Sequence, residues 1–183
     1  MTKNRIQLIS RSFLFVSVFF TSTILSAQNS SKDSKLIADS KTAKDAFIKA
    51  DGLMQNLFNN SYGYVIFPNV GKGAIGVGGA AGNGIVYHGG KAIGRASMKQ
   101  VTIGFQWGGQ AYREVIFFEN KETLDRFKGN KVEFSAQASA VAATKGASGN
   151  VKYANGVMIF TQEKGGLMYE ASVGGQKFKY EAF

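Results

Sequence analysis

From Tyr64 onward the chain alternates apolar residues with small or polar ones, and paired glycines break up the runs. A period of two puts every second side chain on one face, the pattern of a half-buried strand. Gly-Gly pairs suit tight hairpin turns, because primed turns need positive φ. Tyr64-Val65-Ile66-Phe67 reads as a short strand stopped by the only proline, Pro68. Gly73 to Tyr87 alternates small residues with Ile75, Val77, Ile85 and Val86. Val101, Ile103, Phe105 and Trp107 do the same, and Gly108-Gly109 separates them from Gln110 to Phe118. Val157–Gln162 and Leu167–Val173, around Gly165-Gly166, read as a last hairpin. Phe178 to Phe183 reads as an edge strand, with Phe178 and Tyr180 facing in and Lys177 and Lys179 guarding the edge.

Helical periodicity is confined to two places. Leu36, Ala43, Phe47, Ala50, Met54 and Leu57 recur at three, four or seven, with Lys41, Lys44, Asp45 and Lys49 opposite. This predicts one or two amphipathic helices over about 35–59, with Gly52 as a possible break. Between Asn120 and Gly129, an N-cap asparagine, early acids, Leu124 and Phe127 predict one inserted helix. Residues 134–143 are small and apolar, and their type is ambiguous. The expected fold is α+β. It has an N-terminal amphipathic helix or helix pair, then a Gly-rich antiparallel β-meander or barrel-like sheet.

The first residues read as a secretory signal. Lys3, Arg5 and Arg11 precede an apolar stretch from Phe13 to Leu25, and Ser26-Ala27 offers a small-residue cleavage site. As a helix that stretch reaches about 20 Å, against about 30 Å for a bilayer core. The expected organisation is a signal over 1–27, a polar linker over 28–34 and a single domain over 35–183. Removing 1–27 takes away three basic residues and no acid, leaving 19 Lys+Arg against 12 Asp+Glu. The expected location is periplasmic or extracellular, peripheral on a membrane. Cysteine is absent, so no disulfide framework exists.

Charge is distributed unevenly. Residues 52–113 hold fifteen of the 23 glycines and no Asp or Glu, and their only charges are Lys72, Lys91, Arg95, Lys99 and Arg113. A one-sign, glycine-rich surface suits an anionic partner. Acid/base catalysis usually needs titratable groups at the site. His88 is the only histidine and sits beside Gly89-Gly90, with no nucleophile-elbow motif and no set of His or Cys for zinc. Glu114, Glu119 and Glu122 form the one carboxylate cluster, but Glu122 suits a helix first turn for dipole reasons. No catalytic residue, metal ligand or cofactor is expected. Gly71-Lys72-Gly73-Ala74-Ile75-Gly76 fits G-x-G-x-x-G, yet β alternation follows and no acid comes before Glu114. That excludes a dinucleotide fingerprint. Two readings remain for this loop: backbone N–H groups and Lys72 meeting a phosphate, or a bend with close strand packing. Trp107, Tyr112, Phe117 and Phe118 suit core packing or a membrane interface. Nucleic acid is not an expected partner, given the export signal.

Several of these segments, taken in order, carry a resemblance. The stretch from Tyr64 to Tyr87 has a strand ending in Phe-Pro, then Val70-Gly71-Lys72-Gly73, then Gly78-Gly79. Thr102 to Gln110 reads TIGFQWGGQ, Phe134 to Ala142 is an Ala-Ser-Ala-like stretch, and Gly156 to Leu167 resembles a closing hairpin. Together they resemble the SYLF family, over roughly residues 35–180. The resemblance implies a single α+β domain without catalytic residues that binds lipids, with anionic phosphoinositide head groups best attested in eukaryotic members. Some of those members bind actin, and their N-terminal helical segment, nearest here to Lys35–Asn59, helps membrane binding. The residues expected to meet an anionic lipid head group are Gly71, Lys72 and Gly73 with Lys91, Arg95 and Lys99. The alternative is an envelope structural or protein-interaction module.

Overall fold

The structure, a computed structural model, describes residues 31–72, 79–101, 111–132, 139–164, 170–172 and 175–183. The chain divides into two compact units, 1–35 and 36–183. Of the first, residues 31–35 are described and are helical. The helix therefore starts inside the segment expected to be linker.

Residues 31–50 form α1 and Met54–Asn60 form α2. Ala43, Phe47 and Met54 are buried, as the helical spacing predicts, while Phe58 is buried where the spacing predicts Leu57, and Leu57 is half-buried. Lys44 departs from the expected polar face. Its Nζ lies 4.9 Å from the Phe58 ring centroid and 5.6 Å from that of Tyr64, a cation–π arrangement. The break between the helices falls at Asp51-Gly52-Leu53. Asp51 Oδ1 accepts from Leu53 N at 3.1 Å. Its Oδ2 accepts from Ser148 N at 2.8 Å and Ser148 Oγ at 2.6 Å. One buried carboxylate thus turns the chain and pins the elbow to the 3-10 turn Ala147–Asn150. Burial pushes the Asp51 carboxyl up, but these hydrogen bonds outweigh it and the net shift is downward.

Eight strands follow: β1 Gly63–Lys72, β2 Gly79–His88, β3 Lys91–Val101, β4 Ala111–Phe118, β5 Ser139–Ala142, β6 Val157–Glu163, β7 Glu170–Ser172 and β8 Gln176–Ala182. They form one sheet in the order β7-β5-β6-β4-β1-β2-β3-β8. All pairs are antiparallel except β5 with β6, so the sheet is mixed. It does not close into a barrel. The turn at Gly89-Gly90 has φ of 56° and 76°, as the paired-glycine reading requires. Gly108-Gly109 and Gly165-Gly166 lie outside the described residues.

Two strand expectations are corrected. Pro68 does not end β1. The register skips between Ile66 and Asn69 against β2, and between Phe67 and Val70 against β4. A bulge therefore absorbs the residue that has no N–H to donate. The expected last hairpin also does not form, because β5 inserts between β6 and β7 and pairs with both. The edge strand is as expected: Phe178 is buried, Tyr180 packs beside it, and Lys177 and Lys179 are exposed.

The sheet curls strongly. β7 and β8 stand at opposite ends of the strand order, yet residues 173–175 are all that join them. The concave face carries Val65, Phe67, Val86, Met98, Ile116, Phe118 and Phe178. The inserted helix α3, Lys121–Lys128, covers it. Asn120 caps α3 through Thr123 N at 3.0 Å. The Phe127 ring bridges Phe118 at 4.9 Å and Phe178 at 5.2 Å. The convex face carries Tyr64, Ile66, Val115, Phe117, Met158 and Phe160, under the buried face of α1 and α2. Tyr112, Phe117 and Phe118 are thus core residues, and Trp107 lies outside the described residues.

Close approach of β1 and β2 depends on Gly84. A Cβ there would stand 2.5 Å from Ile66 O and 2.7 Å from Phe67 Cδ1. Gly84→Ala is expected to cost about 3 kcal/mol by overpacking. A fall in the urea midpoint with an unchanged slope is the measurement that checks it.

A cationic tract on the open part of the convex face

The helices cover the convex face over β1, β4 and β6 and the Ile85–Tyr87 end of β2, and leave exposed side chains at Asn83 of β2, Lys99 of β3 and Lys177 and Lys179 of β8. Strand register defines what lies there. One cross-strand row reads Gly71, Ala81, Lys99, Lys177. The next reads Asn69, Asn83, Ser97, Lys179. Asn69, Asn83, Lys99, Lys177 and Lys179 are exposed. Beyond them Ile85 pairs with Arg95, and Arg95 with Glu181. A floor of small and amide residues is therefore bordered by lysines on two adjoining strands.

The charges on this tract are unevenly compensated. Arg95 is held by Glu181, with Nε and Nη2 each at 2.8 Å from Oε2. Lys179 reaches Glu181 Oε1 at 2.8 Å. Hydrogen bonds from Lys179 and then Arg95 hold the Glu181 carboxyl below the usual range. Lys99 and Lys177 stand directly opposite each other. Like charges at such a pair destabilise a sheet, and an anion placed between them removes that cost. On the far side of the floor Lys164 hydrogen-bonds Asn69 Oδ1. Its ammonium pKa is lowered, by burial first and then by nearby Arg113. Asp39 of α1 acts on the same ammonium in the opposite sense, so charge at that end is mixed.

The expected site residues separate. Gly71 and Lys99 share a row, and Arg95 lies on the same face of β3. A Cβ at Gly71 would meet nothing within 4 Å, so close packing is not what calls for glycine there. Lys72 ends β1 opposite Ala80, and Ala80 pairs with Gln100, so its register differs from that of Lys99. Gly73 lies outside the described residues. Lys91 does not join the tract. Ile93 has no partner in β2, and this bulge shifts the alternation so that Lys91 opposes His88 at the hairpin end. Eight residues also put it about 27 Å along the strand from Lys99. Arg113 lies three strands away, about 14 Å, and bonds Gln162 Oε1 at 3.0 Å. Both exceed the screening length of about 8–10 Å.

The residues missed in the sequence are Lys177, Lys179 and Lys164. The Lys-Phe-Lys-Tyr alternation was visible as edge protection. What was hidden was that β8 pairs with β3, so that the same lysines complete a row with Lys99. The other candidates fall elsewhere. His88 is exposed, with Nδ1 2.7 Å from Tyr62 O and its ring 4.4 Å from the Tyr62 ring. Glu114 is buried on the concave side, whereas Glu119 and Glu122 are exposed, so the carboxylate cluster is dispersed.

Comparison with known proteins bears on most of the chain. Residues 99–181 match the Ysc84 family model, described as a Las17-binding protein actin regulator. That span contains the last three residues of β3 and nearly all of β8, the two strands that carry the lysines. The chain is also 29% identical over 155 residues to beta cell expansion factor A of Aeromonas veronii. That match covers 75% of this chain and 58% of the relative's length. With the motifs from Tyr64 to Leu167 and the α+β fold, the chain is similar to the SYLF family, and over residues 99–181 to the Ysc84 model.

Proposed function

We propose that this domain attaches to anionic, phosphate-bearing lipid head groups at a membrane surface, through the open tract formed by β3 and β8. The observation that carries the reading is the row Gly71, Ala81, Lys99, Lys177 beside Asn69, Asn83, Ser97, Lys179. It offers a floor of small and amide residues with three lysines at its border, and the carboxylate beside those lysines, Glu181, is already paired. Phosphate oxygens accept charge-assisted hydrogen bonds from such ammonium groups. Each lysine contributes about 1 kcal/mol near an anionic bilayer. Three or four together support reversible attachment without a chemical step. The apolar stretch behind Lys3, Arg5 and Arg11 supports action outside the cytoplasm. Among the described residues no helix is long and apolar enough to cross a membrane.

Flotation of the full chain with vesicles tests this. Binding is expected with phosphatidylcholine vesicles containing an anionic phospholipid at low salt, and it is expected to weaken about tenfold or more at high salt. Equal binding to neutral and anionic vesicles would remove the electrostatic mechanism.

A further inference from the structure

On the concave side of the sheet, away from the lysines, two polar side chains are sealed in the core. Glu114 of β4 and Gln176 of β8 are both 0% exposed. Gln176 Nε2 donates to Glu114 Oε2 at 2.9 Å. β1, β2 and β3 separate their strands in the sheet order. The bond therefore crosses the hollow of the curled sheet and ties its β8 end to its middle.

Each side chain of the pair keeps one buried oxygen without a partner, Glu114 Oε1 and Gln176 Oε1. With Glu114 ionised both are acceptors, and nothing in the pair can donate to them. Turning the Gln176 amide over exchanges its O and N but leaves the same shortage of one donor. A proton on Glu114 removes it. The carboxylic acid then donates Oε1–H to Gln176 Oε1 while Nε2–H donates to Oε2, a ring of two parallel hydrogen bonds. Buried polar atoms are nearly always satisfied, and this is the one arrangement of the pair that satisfies all four.

The groups around Glu114 do not favour its charge. Tyr112, two residues earlier on β4, shares the Gln176 side chain, and burial and then Glu114 raise its hydroxyl pKa. Phe67 of β1 and Thr161 of β6 flank Glu114 in register. Gln100 of β3 lies opposite Gln176, and Phe178 and Phe127 of α3 fill the hollow. The next acid on β6, Glu163, is in register with Tyr112. No cation with a described side chain faces the pair. Burial accordingly pushes the Glu114 carboxyl up to about 7, against a smaller lowering by Gln176.

We propose that Glu114 and Gln176 form a proton-controlled clasp: neutral Glu114 locks β8 across the hollow to β4, and ionisation breaks the acid–amide ring and loosens β8. The folded-state pKa lies above the free value of 4.5. The clasp is therefore strongest below that value, weakens as pH rises towards about 7, and changes little beyond it. Lys177 and Lys179 ride on the outer face of the same strand. Any effect of pH on lipid attachment rests on the function proposed above, whereas the clasp itself does not.

The test needs no lipid. Hydrogen exchange of β8 amides in the full chain, corrected for intrinsic rates, is expected to show opening that rises roughly 50- to 100-fold between pH 5 and pH 8. Glu114→Gln keeps both hydrogen bonds without a titrating group. It is expected to hold β8 at pH 8 as the native chain does at pH 5, with no pH slope of its own. Infrared spectra supply a second readout: a carboxylic-acid C=O band at about pH 6 in the native chain, absent in Glu114→Gln. The same exchange slope in both proteins, or no such band in the native chain, overturns the proposal.

Discussion

Reversing Lys99 and Lys177 together to glutamate is expected to abolish attachment to anionic vesicles. The double change alters four units of charge on the tract. At about 1 kcal/mol per charge near the surface, this amounts to roughly a thousandfold loss in partitioning. Folding is expected to be little affected, because one like-charged cross-strand pair replaces another. The single change Lys99→Glu separates the two effects. It sets opposite charges across the β3–β8 pair and is expected to stabilise the sheet by about 0.2–1 kcal/mol while weakening attachment about thirtyfold. Flotation beside urea unfolding of the same samples checks both. A reversed protein that floats like the native one would exclude the tract as the attachment surface. Lys91→Glu is the internal control. Lys91 stands at the far end of β3 and out of phase with the row, so its reversal is expected to do little.

Asp51→Ala is expected to destabilise the domain by about 3 kcal/mol. It removes the acceptor of Ser148 N, Ser148 Oγ and Leu53 N. It also leaves the buried Ser148 donors unpaired, and unsatisfied buried groups cost about 1–3 kcal/mol each. The Asp51 carboxyl has a folded pKa below its free value of 3.8. Its stabilisation is therefore present above that value and is lost as pH falls below it. A shallower loss of stability in acid for Asp51→Asn than for the native chain, followed by urea unfolding from pH 5 down to pH 2, checks the sign. Asp51 and Glu114 thus pull in opposite directions. One favours the folded state when charged and the other when neutral, so together they favour stability in mildly acidic solution.

Local pattern was the part of this molecule legible in the sequence. Residues 121–128 form a helix because Asn120, Leu124, Phe127 and Gly129 each lie within about four residues of the next, so the signal is local. The two N-terminal helices and their break follow from spacing and from Asp51-Gly52. The alternation of Lys177 to Tyr180 told which side chains enter the core. Pairing between distant strands left no such mark. Residues 139–142 are small and apolar, and nothing near them in sequence says that they slip between β6 and β7. The tract was half legible for the same reason. The run without acids pointed to Lys99 and Arg95, but the bulge at Ile93 that removes Lys91 arises in the register between β2 and β3. The partners Lys177 and Lys179 arrive from more than 70 residues away. Glu114 looked like a member of an acidic cluster because Glu119 and Glu122 are near it in sequence. The end of β4 and the start of α3 carry those two out to solvent.

β7 ends at Ser172 at one margin of the sheet and β8 begins at Gln176 at the other. The closing strand then supplies both the inner half of the acid–amide ring and the outer half of the lysine border. A polypeptide interrupted before Gln176 would have neither. On the function proposed above, the landing face is assembled only once β8 has paired with β3, so partly folded chains have no finished surface with which to adhere prematurely.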